Sequence, residues 1–517
     1  MQGHHQDATD LEEFGYAQRL QRTLGSFSSF AAGFSYISIL TGMFQLFGFG
    51  YGFAGPGIVW AWIFVLVGQF CVALNFAELG ARFPIAGSVY QWSKQVSNRS
   101  VSWMAGWTML IGSVVTVAAV SIALQIVLPQ VWSGFQVFSD DTHNAVFMGC
   151  ILIAVTTIVN VLGVRVISRI NNVGVAAELI GVVLIIVLLL THATRGPGVV
   201  ATTQGAGPGL PGYESLGYLA ALMLGAVMPA YVMFGFDTAC SLAEETREPR
   251  KRAPLAMLQA LGAAGIAGLL LLFAALMAAP SLGIDALGSG GLPLVLQSVL
   301  GSTIGKILLL DVAVAICVCT LAIHTASIRI AFAMARDNRL PLGHRVAHVS
   351  DRSQAPAVPA IASGLLAIAF LVVNVSSPEI FLVITSVSIV IVYLAYLLVT
   401  APLLTHRLRG WPSDQGAGGL FFLGRAGGLA INGVAVAYGL FMAINLIWPR
   451  SAIYGEGKAW GGVIFVVAVV LVGLVYYMVF QRRRDDEVAV EHRFDPGQPA
   501  PTGDPLAARV AFDAPRN

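Results

Sequence analysis

The chain has 517 residues, 56% of them hydrophobic and only 11% charged, with a formal net charge of +2 and a mean hydropathy of +0.77. That balance excludes a soluble multidomain protein and places the chain in a lipid bilayer. With no global basic field and no basic run interleaved with stacking aromatics, nucleic acid is set aside as a partner.

In chain order, the polar stretch from Met1 to Glu13 lacks the basic n-region and short apolar core of a cleavable signal, so residues 1-26 read as a cytoplasmic N-terminal segment. Twelve apolar stretches follow, each of roughly 17 to 30 residues, long enough at about 1.5 Å per residue to cross about 30 Å of hydrocarbon as a helix. They begin near Phe27, Gly57, Val101, Ala145, Val173, Leu216, Pro254, Ile304, Val358, Ile380, Leu429 and Trp460. A membrane barrel would alternate polar and apolar residues, whereas these runs are apolar on every face, so the expected fold is an all-α polytopic membrane protein with 12 transmembrane helices. Loops after even-numbered stretches collect the basic residues, from Arg82, Lys94 and Arg99 after the second to Arg407, Arg409 and Arg425 after the tenth. Arg165 and Arg169 are counted among them, after the fourth. Both termini are therefore expected in the cytoplasm, and residues 481-517, which open with Arg482, Arg483 and Arg484, read as a disordered cytoplasmic tail.

Several residue patterns bear on chemistry. The five cysteines lie within or at the edges of apolar stretches and read as small core residues, and Cys317 and Cys319, two apart, point to different helix faces. No metal and no cofactor is expected. Gly50 to Gly55 spells GxGxxG, but it follows no soluble strand and opens no βαβ unit, so it reads as a close-packing turn. More telling are two interruptions, hydroxyls and a glycine from Ser35 to Gly42 in the first stretch, and Gly235 to Asp237 in the sixth. Unwound backbone persists in a membrane only where it lines a cavity, and paired interruptions mark a transporter's central site. N–H groups freed around Thr41 and Gly42 would receive a carboxylate, and C=O groups near Tyr231 to Phe234 an ammonium. Ser38 and Thr41 add hydroxyls, unless these merely bond back to their own helix.

Four ionisable residues in the apolar stretches bear on function. Asp237 is a costly acid that either faces the solute or caps the following half-helix. Glu178, in VGVAAELIGVV, is the carboxyl best placed to take up and release a proton; the alternative is a static hydrogen bond to a hydroxyl, or a pairing with Arg329. Asp311 reads as solvated near the outer end of the eighth stretch, and His324 as a packed core histidine rather than a proton relay. A quaternary amine would call for aromatic faces, for which Tyr36, Tyr231, Phe234 and Phe236 stand ready.

Three stretches, FAELGARFPIAGSVYQW (Phe76 to Trp92), GFDTACSLAEETREPRKRAP (Gly235 to Pro254) and ASIRIAFAMARDNRLP (Ala326 to Pro341), together resemble the amino acid-polyamine-organocation (APC) permeases. The nearest look is the amino acid/choline branch, which includes γ-aminobutyrate and choline permeases, over about Leu20 to Phe480. The resemblance implies a LeuT-type five-plus-five inverted repeat with broken helices 1 and 6. Residues 27-480 would be the transporter domain, with 27-192 the first repeat, 216-404 the second, and 429-480 helices 11 and 12. Substrate would lie between helices 1, 3, 6 and 8, touched by Ser38, Ile39, Thr41, Gly42, Tyr231, Met233, Phe234, Gly235 and Asp237, the last as an acidic gate. Glu178 would stand where sodium-driven relatives hold sodium, with Cys319 and Thr320 as neighbours. Leu40-Thr41-Gly42 departs from the Gly-Ser-Gly break of many members.

The function so implied is import of an amino acid or related amine (γ-aminobutyrate, another amino acid, choline or a polyamine). The expected carrier is a secondary active transporter of the plasma membrane, working by alternating access and coupled to a proton rather than sodium. An exchanger or a substrate-sensing receptor of the same fold is the alternative. An enzyme is not expected, because acids and nucleophiles are scattered singly along the chain.

Overall fold

A computed structural model describes residues 22–203, 216–350, 355–373, 380–412, 420–451 and 459–482, with Leu11, Phe14, Tyr16, Leu20 and Val375, the side chains at 285, 344 and 380–384 excepted. The expected disordered tail lies outside the described residues beyond Arg482. The described residues are helical or irregular, with one isolated parallel bridge between Leu24 and Thr246. Helices are what a bilayer demands, since each satisfies its own backbone polar groups.

Two helices, α1 (Ser26–Ile37) and α2 (Ile39–Ala54), are parted by Ser38 alone. After the turn Gly55–Gly57 come α3 (Ile58–Arg82) and a short helix α4 (Ser88–Val96). Next are α5 (Arg99–Ser121), α6 (Leu124–Val131), α7 (Asp141–Leu162) and α8 (Val164–Thr191). The sixth apolar stretch is divided into α9 (Tyr218–Gly225), α10 (Val227–Val232) and α11 (Thr238–Ser241). Then follow α12 (Pro249–Ala278) and α13 (Ile284–Arg336), bent where Gly291 (φ 58°) and Gly301 (φ 79°) leave helical geometry. The chain closes with α14 (Ala357–Val373), α15 (Ile380–Leu408), α16 (Arg425–Ile447) and α17 (Gly461–Tyr476).

All twelve apolar stretches contain helix, but they are not twelve equal rods. Among the described residues nine helical stretches are long and apolar enough to cross a membrane; Ser26–Arg82, one of them, holds two expected crossings, and Tyr218–Val232 and Ala357–Val373 are apolar but shorter. The fifth helix, expected near Val173, begins at Val164, because Gly163 at φ 111° turns the chain there. Arg165 and Arg169 thus stand in a helix rather than a loop. The eighth, expected near Ile304, continues a preceding helix through the bend at Gly301.

The interrupted helices are central: α1 and α2 pack on α12, α13 and α8, and α10 touches α2, α3 and α15. Outer faces carry exposed apolar side chains such as Ile158, Val173, Ile180, Leu471 and Val475, the surface lipid requires. Glycines permit the closest helix contact beside the first break. A Cβ on Gly174 would lie 2.3 Å from Val318 and one on Gly181 1.7 Å from the Asp311 carboxylate, so α8 lies tightly against α13.

Candidate functional site

The first break is one residue long. Ser38 adopts φ 34°, ψ 96°, which ends α1 and opens α2. A continuous helix would join the Leu40 N–H to the Tyr36 carbonyl. Instead two neighbouring helices divide the pair. Leu40 N–H donates to Glu178 Oε1 of α8 at 3.2 Å, while the Tyr36 carbonyl accepts from Cys319 Sγ of α13 at 3.3 Å. Ser38 Oγ donates to the same Glu178 oxygen at 2.9 Å, lies 2.6 Å from Thr41 Oγ1, and caps the Thr41 N–H at 3.4 Å. Glu178 therefore sits at the N-terminus of α2, where amide dipoles favour a negative group. Its residue is 1% exposed, and its Oε2 has no hydrogen-bond partner.

The freed amides lie earlier than the sequence suggested. Gly42 N–H makes a regular bond to the Ser38 carbonyl at 3.0 Å, so the open amides belong to Leu40 and Thr41. Gly42 serves contact instead: a Cβ there would come 2.6 Å from Val232 of α10. Ile39 is the first residue of α2.

The second break runs from Met233 to Asp237 and lies against the first. Gly235 holds φ 87°, a left-handed value that a side chain resists, and a Cβ on it would sit 1.9 Å from the Tyr36 ring. Its N–H, which would have bonded the Tyr231 carbonyl, donates to Tyr396 Oη of α15 at 2.9 Å. Tyr396 Oη then donates to Asp237 Oδ1 at 2.6 Å, and Ser88 Oγ of α4 donates to Asp237 Oδ2 at 2.7 Å. Ser241 Oγ completes the chain to Ser88 at 2.8 Å. The capping alternative for Asp237 is thus not realised: its side chain makes no cap bond and instead ties α11 to α4 and α15. The Phe234 ring lies edge-on to Tyr36 and Tyr231, at 5.9 and 5.8 Å, and Tyr231 Oη donates to Gln45 Oε1 at 3.1 Å. Met233 is the C-cap residue of α10 and is fully buried.

Ser38, Thr41, Glu178 and Cys319 come together at the first break, and Tyr231 through Asp237 line the second. Thr320 does not join them, since its hydroxyl bonds the Ile316 carbonyl of its own helix at 2.8 Å. Arg329 does not reach Glu178 either; its Nε pairs with Glu245 at 2.6 Å. His324 is held by Thr156, Ala360 and Ser363, as a packed core histidine. Asp311 is not a freely solvated acid, because its Oδ2 is buried against α8. Sequence reasoning missed Gln45, Ser88, Ser113 and Tyr396. Buried and without partners, Tyr36 Oη and Ser113 Oγ are polar groups left open beside the breaks. No group of three or more metal-binding side chains occurs among the described residues.

The end of the bundle that carries Tyr16 and Arg336, here the basic end, is built differently. Arg336 pairs with Glu244 at 2.9 Å, Lys94 with Asp337 at 2.7 Å, and Arg407 with Glu78 at 2.6 Å, all buried. Tyr16, 4% exposed, donates to Asp337 at 2.9 Å and lies under the Arg336 guanidinium, 4.1 Å from its ring centroid. Burial, and then the Asp337 charge, push the Tyr16 phenol up to about 12. Burial alone would lower Lys94, yet Asp337 raises it above its usual value, so Lys94 is charged at neutral pH.

A helical bundle whose two inner helices break side by side, with acids at the breaks and buried ion pairs at one end, is the architecture expected of a membrane carrier. The family described as amino acid permease matches residues 24–478. The chain belongs to the amino acid permease family, within the amino acid-polyamine-organocation superfamily, and its activity is amino acid transport. It is 29% identical over 411 residues to the amino-acid permease BAT1 of Arabidopsis thaliana, covering 75% of this chain and 78% of the relative. To amino-acid permease 2 of Neurospora crassa it is 23% identical over 498 residues, covering 90% and 86%. To the branched-chain amino acid permease BcaP of Bacillus subtilis it is 27% identical over 256 residues, covering 46% and 50%.

Proposed function

We propose that this permease is a secondary active transporter of the plasma membrane that imports an amino acid or related amine together with a proton, by alternating access around the two breaks. One observation carries the reading: Glu178, a buried acid with no ion-pair partner among the described residues, holds the Leu40 amide and Ser38 hydroxyl that open α2. An ionised carboxylate competes for those donors with any solute carboxylate. A proton on Glu178 removes its charge, so its claim on the amide dipoles weakens and the donors pass to the substrate. Proton and substrate thereby load together. The substrate ammonium turns to the Tyr231 carbonyl, left without its Gly235 donor, and to the faces of Tyr36 and Phe234.

Lysine and arginine collect in cytoplasmic loops, so the basic end faces the cytoplasm, and its buried ion pairs tie the helices together there. Alternating access then requires its ion pairs to part. If one positive charge enters per cycle, 100 mV of membrane potential contributes about 2.3 kcal/mol, roughly fifty-fold accumulation.

The test is uptake of labelled alanine, leucine, lysine, γ-aminobutyrate and choline into proteoliposomes under an imposed proton gradient. Accumulation above equilibrium that a protonophore abolishes is the expected result. Uptake only into vesicles preloaded with substrate would make the protein an exchanger, and binding without uptake a sensor; either overturns the reading.

A further inference from the structure

Asp311 is an acid that this mechanism does not yet use. The pairs Gly181/Asp311 and Gly174/Val318 fix the register of α8 against α13: seven residues back along one helix match seven forward along the other, so the two run antiparallel. Glu178 lies three residues from Gly181, one turn along the same face. The absence of a side chain at Gly181 is what lets the Asp311 carboxylate settle on the α8 backbone there. Asp311 Oδ2 and Glu178 Oε2 are both buried without a hydrogen-bond partner, although most buried polar atoms find one. Around Asp311, ionisable residues are few. On α8 they are Arg165, Arg169 and Glu178, and the two arginines lie toward the basic end. Among other helices packed on α13, α2 carries only Tyr51, α1 only Tyr36, α5 only Arg99, α4 Tyr90 and Lys94, α11 Cys240, the short helix Gly343–Val346 His344 and Arg345, and α6 and α14 none. α7 has Asp141 and His143 at its exposed start and Cys150, and α12 has Arg250, Lys251 and Arg252 in its first turn. On α13 itself Lys306 is exposed five residues before, and Cys317 and Cys319 follow about two turns after.

We propose that Asp311 is a second proton-handling carboxyl, which passes its proton to Glu178 across the one-turn gap between α13 and α8. It lies on the side of Glu178 away from the basic end, toward the face from which the coupling proton arrives. The step balances simply. The O–H bond of the Asp311 carboxyl breaks, directly or through one bridging water, an O–H bond forms on the Glu178 carboxylate, and Asp311 is left ionised to be reloaded from outside. Gly181 is the positioning residue.

This inference rests on Glu178 as the proton carrier, so the test compares variants at both sites. Gradient-driven uptake of whichever labelled amino acid the wild type accumulates is measured as a function of external pH, beside gradient-free counterflow of the same solute. Asp311→Asn is expected to lower gradient-driven uptake at least tenfold more than counterflow, with the melting temperature kept and the pH profile displaced. Asp311→Glu should restore much of the coupling, and Gly181→Ala, which keeps the acid but pushes it off α8, should reproduce the loss. Wild-type pH-driven accumulation in Asp311→Asn overturns the proposal, as does an equal fall of uptake, counterflow and melting temperature. If Glu178→Gln loses coupling while Asp311→Asn keeps it, the relay fails and the Glu178 reading stands. If Glu178→Gln keeps coupling, that reading falls and the relay with it.

Discussion

The acids at the basic end and the acids in the middle of the bundle are differently supplied, although Glu178 and Asp237 are as buried as Glu78, Glu244, Glu245 and Asp337, and Asp311 is half-buried with one oxygen enclosed. Glu78, Glu244, Glu245 and Asp337 each have an arginine or lysine at 2.6 to 2.9 Å. Glu178, Asp237 and Asp311 have no ion pair among the described residues; the first two hold only hydroxyls and one backbone amide. A buried pair is an architectural element, costly to form and costlier to break by halves. A buried acid answered by dipoles alone keeps two protonation states within reach, and it is retained where a solute or proton passes. On the proposed mechanism, the paired acids hold the helices together and the unpaired ones handle the solute and the proton.

Removing one partner of a pair should break the comparison most severely. Arg329→Ala strands Glu245 in the interior, and a loss of about 3–5 kcal/mol is expected, seen as a collapse in the yield and melting temperature of detergent-purified protein. Arg329→Met with Glu245→Leu should recover most of it; an unchanged single variant would mean the pair is no lock. Gly235→Ala comes next. It forces a side chain into φ 87° and into the Tyr36 ring, and uptake should fall about a hundredfold, equivalent to about 2.7 kcal/mol, in protein that still folds.

Tyr396→Phe is smaller again. It removes the donor to Asp237 and the acceptor of Gly235, contacts involving a charged group and worth about 1.5–3 kcal/mol, so apparent substrate affinity should weaken roughly ten- to hundredfold. Retained affinity would show that the second break does not shape the site. Tyr16→Phe keeps the ring beneath Arg336 and loses only its hydroxyl, which bonds the Lys94–Asp337 ion pair, for about 1.5–3 kcal/mol of stability by thermal melt. Lys94 and Tyr16 should also be silent to pH near neutrality. Lys94 is raised above its unfolded value of about 10.4, so the stability it contributes is fully present below that pH and is lost only as pH rises through the higher folded value. A pH dependence of transport between about 5 and 8 does not then come from Lys94 or Tyr16, and a Tyr16→Phe profile unlike the wild type in shape would contradict this.

Much of this was legible in the sequence. Apolar runs and the bilayer's demand for satisfied backbone gave the helices, and hydroxyls or glycine inside such runs gave the breaks to within a few residues of Ser38 and Gly235. Glu178 stood out because an acid there is expensive. The partners did not stand out. Ser88 lies in a short helix of mixed polarity, 149 residues from Asp237 along the chain, and Tyr396 lies 159 residues beyond it, so only the folded bundle joins them. Arg165 and Arg169 looked like loop charges because local charge carries no information about Gly163, which starts the helix before them. Asp311 looked solvated because nothing in its neighbourhood along the chain reveals Gly181 across the helix interface.

The most direct test of Glu178 follows protons rather than substrate. Proteoliposomes loaded with a pH-sensitive dye would receive, from outside, the amino acid that the wild type accumulates. Wild-type vesicles should acidify within the time of uptake, and Glu178→Gln vesicles should show no substrate-triggered acidification while the variant still binds the solute by thermal shift. Equal acidification in both would contradict the account.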